Sequence, residues 1–234
     1  MALLFRGVLA VHIAAGAVAL LVFWVPLVTK KGGRTHRRTG WVYVAAAATV
    51  AVSGFVSCIP LVSGGSPWRW RAGVFLAYVS VLAGASAQFG VRALRTKARA
   101  VASRSAIDLV PPLLLVAGGV ALAAFGIHRS MVLYVLFAAL GVALGLSQLR
   151  FWLTPPAHER AWFLAHMSGM GTSCITTVTA FVVVNARSFG MRTFDLAVWA
   201  GPIAVLAVGL TIWRRYYARR FIGNNVPGGA PRVP

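Results

Sequence analysis

The sequence predicts an all-α integral membrane protein: a polytopic bundle of seven transmembrane helices, N-terminus outside and C-terminus cytoplasmic. Three observations predict it. Of 234 residues, 59% are hydrophobic and only 11% charged, with a mean hydropathy of +0.79. Soluble domains carry about 25% charged residues, and so few charges cannot cover a soluble surface. The same numbers exclude a disordered chain. Apolar runs of about twenty residues then recur along the chain, the length that a ~30 Å hydrocarbon core demands. Finally, the charges sit in the gaps between those runs, and they are one-sided.

The runs are roughly 7–28, 40–62, 72–91, 108–127, 130–150, 161–184 and 194–213. The first follows a lone Arg6 and is longer than a signal-peptide core, so it reads as a retained helix. KKGGRTHRRTG separates it from the second, and VSGGSPWRWR separates the second from the third. RALRTKARAVASRS leads into the fourth, where Pro111 and Pro112 are expected in a first turn that tolerates proline. A few residues around His128–Ser130 join the fourth and fifth in a tight antiparallel hairpin, and TPPAHER precedes the sixth. Pro202 falls inside the seventh and is expected to kink it. The helical domain is therefore placed at 1–215. Residues 216–234 are expected to form a disordered cytoplasmic tail, Gly/Pro-rich in its last part.

Seven spans put 17 of the 23 Lys and Arg on one side and 6 on the other. The positive-inside rule makes the richer side cytoplasmic. The net charge of +20 is therefore topogenic, and its expected partner is the anionic headgroup layer of the bilayer. No compact basic domain exists, so nucleic acid is not an expected partner.

Several chemistries lack their residues. There is no Cys-x-x-Cys-His, no zinc-type Cys/His cluster, no phosphate-binding loop and no dinucleotide fingerprint. Three acids offer no carboxylate pair for hydrolysis. The Schiff-base lysine of a retinal protein is missing, because Lys30, Lys31 and Lys97 all lie in loops. Asp108 and Asp195 sit at helix ends, which disfavours a proton-coupled transporter. Cys58 and Cys174 fall at different depths, which disfavours a disulfide.

Within a membrane, each ionisable side chain is a functional hypothesis. Most of them gather in the cytoplasmic third. GGRTHRRTG brings Arg34, His36, Arg37 and Arg38 to a helix N-terminus, where backbone N–H groups and the helix dipole favour an anion. The competing reading is charge that meets lipid headgroups. In the sixth helix His166, Met170, Ser173 and Thr177 fall at i, i+4, i+7 and i+11 and share one face. A His and a Met one turn apart can ligate haem iron or copper, and small or hydroxyl side chains also let helices approach. His12 lies on a small-residue face near the outside. At ~1.5 Å per residue it stands roughly 15 Å from the level of His166, too far to share a metal ion. His36 and His166 can share one level.

HIAAGAVAL with His12 and Gly16, GGRTHRRTGWVYV with Arg34, His36, Arg37, Gly40 and Tyr43, and His166, Met170 and Thr179–Asn185 together resemble a bacterial membrane-protein family. It is catalogued as domain of unknown function 2306. The resemblance covers roughly residues 5–215. It implies a multi-pass protein of the bacterial inner membrane and brings no activity, cofactor or partner. A looser similarity, through HRRTG, runs to transmembrane b-type cytochromes of the ascorbate- and ferric-reducing kind. Those carry two haems on four His. Here no His falls in the third or seventh helix or within the fourth, and His128 belongs to the hairpin. What this similarity implies is one haem b near the cytoplasmic face, with His36 or His166 as ligand and Arg34, Arg37 or Arg38 near the propionates.

Three functions follow as expectations, with enzymatic activity left open. One is a haem- or cofactor-binding redox membrane protein. Another is a non-enzymatic binder or carrier of a small anionic or lipid-like molecule. The third is an accessory subunit that needs a membrane-protein partner or a second copy of itself.

Overall fold

The structure, a computed structural model, describes residues 2–63 and 65–223. Among the described residues it is all helical: α1 (Ala2–Val22), α2 (Trp24–Val28), α3 (Arg34–Ser63), α4 (Pro67–Arg95), α5 (Ala106–His128), α6 (Val132–Leu153), α7 (Ala161–Asn185) and α8 (Leu196–Gly223). A 3₁₀ turn follows α7 at Ala186–Phe189. Seven segments are long and apolar enough to cross a bilayer, with α1 and α2 together forming the first. The chain is thus an integral membrane protein by architecture.

The helix ends have local causes. Pro26 has no N–H to give the carbonyl of Val22, four residues earlier, so α1 stops at Val22 and the chain restarts as α2. α3 begins at Arg34, earlier than the apolar run at 40. α5 also begins early, at Ala106, so Pro111 and Pro112 lie in its second turn and not its first. Pro111 cannot donate to the carbonyl of Ile107, and Gln88 Nε2 of α4 donates to it instead at 2.8 Å. Gln88→Ala should cost about 0.5–1.5 kcal/mol, read as a lower midpoint of denaturation in mixed micelles. α8 runs unbroken through Pro202 and on to Gly223. The sequence boundary at 215 is therefore too early. Tyr217 and Phe221 continue the helix because they pack on Phe163 of α7, with ring centroids 5.2 and 5.3 Å apart. The rest of the expected tail, 224–234, lies outside the described residues.

α4 and α7 form the middle of the bundle. α3 packs on one side of α4 and the α5–α6 hairpin on the other, while α1 packs on α3 and α8 on α7. Tyr78 of α4 drives into the hairpin, where it donates to the carbonyl of Leu115 at 3.0 Å. Gly118, Gly119 and Gly141 leave the room for its ring. Phe75 stacks among Tyr134, Phe137 and Trp199 near the end opposite the basic loops.

At the basic end, Asp108 is 1% exposed and receives Arg92 Nε at 2.7 Å and Nη2 at 3.0 Å. Ser103 Oγ donates to it at 2.7 Å. Arg99 closes the loop against α6 by donating to the carbonyls of Phe151, Trp152 and Thr154, the orphan acceptors of a helix C-terminus. Burial lowers its pKa, and Asp108 opposes that shift. Cys58 and Cys174 are both free thiols.

Candidate functional site

A cavity of about 340 Å³ opens at the basic end between α2, α3, α4 and α7, with Trp213 of α8 on its rim. Of the nine residues singled out from sequence, it brings four together: His36, Arg37, His166 and Met170. Ser173 and Thr177 lie one step behind. Tyr43 lines the cavity, and its hydroxyl meets Ser173 Oγ at 2.8 Å and Thr177 Oγ1 at 3.2 Å. Three residues stand apart. Arg34 and Arg38 are exposed and do not line the cavity. His12 pairs with Ser53 Oγ at 3.0 Å on the α1–α3 contact, far along the bundle from His166.

The two cavity histidines are held alike. His36 Nδ1 bonds the carbonyl of Pro26 at 3.0 Å, and His166 Nδ1 bonds the carbonyl of Gly90 at 2.9 Å. A carbonyl oxygen only accepts, so both Nδ1 atoms carry the proton. In the neutral ring Nε2 is then left with its lone pair. The ring centroids are 6.5 Å apart. The Pro26 carbonyl is available to His36 because α2 ends two residues later, leaving an orphan acceptor. His166 reaches Gly90 because α4 and α7 touch backbone to backbone: a Cβ on Gly169 would stand 2.5 Å from the nitrogen of Gly90. That is the close approach expected of small residues in membrane helices.

The mouth is cationic and aromatic. Lys31 Nζ lies 4.8 Å from the ring centroid of Trp213, Lys97 Nζ 4.5 Å from that of Trp162, and the Arg95 guanidinium 6.0 Å from that of Trp41. These cation–π contacts favour the charges at those positions. Lys31 also donates to the carbonyl of Pro26 at 2.8 Å, and burial pulls the pKa of its ammonium below the ordinary lysine value. Arg37 completes the set, and no Asp or Glu lines the cavity. The walls are otherwise apolar, from Phe23 and Leu27 to Phe163 and Met167.

Sequence reasoning did not single out Lys31, Arg95, Lys97 or their three tryptophans as site residues. The available signal was Trp placed where apolar spans meet basic loops, which also describes an ordinary interfacial anchor. No family model, curated protein or solved structure matches the chain, so the chemistry of the cavity rests on its own geometry.

Proposed function

We propose that this multi-pass membrane protein binds an amphipathic ligand, apolar in its body and anionic at one end, in the cavity at its basic end, and that this end faces the cytoplasm. One observation carries the reading: an apolar cavity whose mouth holds Lys31, Arg37, Arg95 and Lys97 without a lining carboxylate. Cations gathered without acids cost self-repulsion that an anion relieves, and low-dielectric walls strengthen that attraction. The apolar body contributes burial of its own, about 25 cal/mol per Å². His36 and His166 face it as acceptors through Nε2. Mass spectrometry of the detergent-purified chain should find a co-purifying amphiphile. Arg37→Ala should reduce it by at least tenfold, the cost of one charge-assisted hydrogen bond of ~1.5–3 kcal/mol. Wild-type protein that carries no such molecule, and takes up none when offered, would end this reading.

The histidine pair favours a second reading, haem b. With centroids 6.5 Å apart and both Nδ1 atoms anchored, the two rings would hold the iron of such a group through Nε2. Arg37, Arg95 and Lys97 would hold the propionates. Bound there, haem would supply one-electron transfer. A dithionite-reduced minus oxidised spectrum with a sharp alpha band, lost in His166→Ala and in His36→Ala, supports this reading. A flat spectrum from folded, haem-supplied protein removes it. The resemblance to the uncharacterised bacterial family agrees with either reading and adds no chemistry.

A further inference from the structure

α3, α4 and α7 supply most of the cavity lining. α2 packs on α3 and α1, and α8 packs on α7 and α6. Lys31, in the loop after α2, lies over Trp213 of α8, and both line the cavity. Trp213 is the one residue that α8 contributes to the lining among the described residues. One turn above it, Leu210 packs on Gly171 of α7, which closes α8 against α7 on the other flank. Outward, α2 exposes Trp24 and Val28, and α8 exposes Ile212 and Tyr216. The Lys31–Trp213 pair is therefore flanked by exposed apolar side chains.

Charge narrows what can use such an opening. Four cations with no acid among the lining residues call for more than one negative charge. A phosphate monoester carries about −1.5 to −2 at pH 7, whereas a phosphodiester carries one charge. An ammonium resting on an indole face and bonded to the carbonyl of Pro26 is a movable closure. Its chain is flexible, and an incoming phosphate offers it a better partner.

We propose that the ligand is a membrane-resident phosphate monoester on a long apolar chain, and that its head enters the cavity sideways from the bilayer, between α2 and α8, past Lys31 and Trp213. This rests on the amphiphile reading above and adds the class of head and the route.

The test uses the full chain in nanodiscs of phosphatidylcholine. Vesicles deliver dioleoyl phosphatidic acid as the monoester or dioleoyl phosphatidylglycerol as the diester, and inorganic phosphate is offered alone in a third arm. Bound lipid is counted by native mass spectrometry over time. The monoester should be retained at least tenfold over the diester, should resist millimolar inorganic phosphate, and should fall to the diester level in Arg95→Ala/Lys97→Ala. The route is tested in a Cys174→Ser chain carrying Lys31→Cys and Trp213→Cys, bridged by a cleavable bismaleimide. Loading should slow by at least tenfold when bridged and recover on cleavage. Trp213→Ala should speed loading, and Trp68→Ala, at the other end of the bundle, should not. Equal retention of both lipids, or displacement by inorganic phosphate, overturns the monoester class. Loading unchanged by the bridge overturns the sideways route and leaves the amphiphile reading standing. Binding of neither lipid, in a chain that also carries no amphiphile from the cell, overturns both.

Discussion

Asp108→Ala is expected to cost about 3–5 kcal/mol of stability, the range for breaking a buried ion pair by removing one partner. Asp108 is 1% exposed, and three donor contacts at 2.7–3.0 Å converge on its carboxylate from Arg92 and Ser103. Its removal leaves the Arg92 guanidinium, 20% exposed, without its counter-ion at the edge of the membrane. Arg92 keeps some water, so the lower half of the range is expected. The pair also ties the start of α5 to the end of α4, one turn from Arg95 of the cavity mouth. The loss should appear as a lower midpoint of denaturation in mixed micelles. The double variant Arg92→Met/Asp108→Leu should recover most of it, since an apolar pair of similar bulk removes both the charge and its demand for a partner. A double variant no better than Asp108→Ala would show that the carboxylate acts through Ser103 and the loop, and not through Arg92.

The second large effect concerns the helix contact that sets His166. Gly169→Ala places a methyl 2.5 Å from the nitrogen of Gly90, 2.7 Å from its Cα and 2.7 Å from the carbonyl oxygen of Ser86. All three are backbone atoms, so none can swing away, and α4 must move off α7. Overpacking of this kind costs about 1–3 kcal/mol. The bond from His166 Nδ1 to the carbonyl of Gly90 stretches with the separation, which frees the ring that faces the cavity. Bound ligand is expected to be lost at temperatures where the helical circular dichroism is still intact. Two other glycines provide the comparison. At Gly171 a methyl meets the side-chain carbons of Leu210 at 2.5 and 2.8 Å, which a rotamer change can relieve. At Gly7 it meets nothing within 4 Å. Ala at Gly171 should be mild and Ala at Gly7 neutral. A Gly169→Ala protein that keeps its ligand and midpoint would mean that the α4–α7 contact does not position the site.

The opposite reasoning explains what the sequence could not place. Arg34, Arg37 and Arg38 share one basic run, and only Arg37 lines the cavity. Which of three neighbours points inward depends on the helical phase of α3 against α7. The fold spends two polar side chains of the basic end, Gln88 and Asp108, on structure: one replaces a hydrogen bond denied by Pro111, the other neutralises Arg92. Both roles need the partner helix to be known first. Conversely Lys31, Arg95 and Lys97 looked topogenic, and each lies over a tryptophan at the cavity mouth. The aromatic partners are 54 to 182 positions away, beyond any local pattern.

Membrane insertion explains why so much else was legible. Seven apolar segments, their order and their approximate limits follow from sequence alone. Every backbone group inside hydrocarbon must be satisfied within its own helix, so a run of about twenty apolar residues has one structural outcome. The common level of His36 and His166 also follows, because rise per residue converts position into depth. The sequence did not determine which helices neighbour one another, or that Gly90 and Gly169 meet. It did not determine the proton positions on the two imidazoles, or the cavity that those contacts enclose. Those depend on small differences in close packing between helices whose lipid-facing and protein-facing surfaces are equally apolar. Only the tertiary structure decided them.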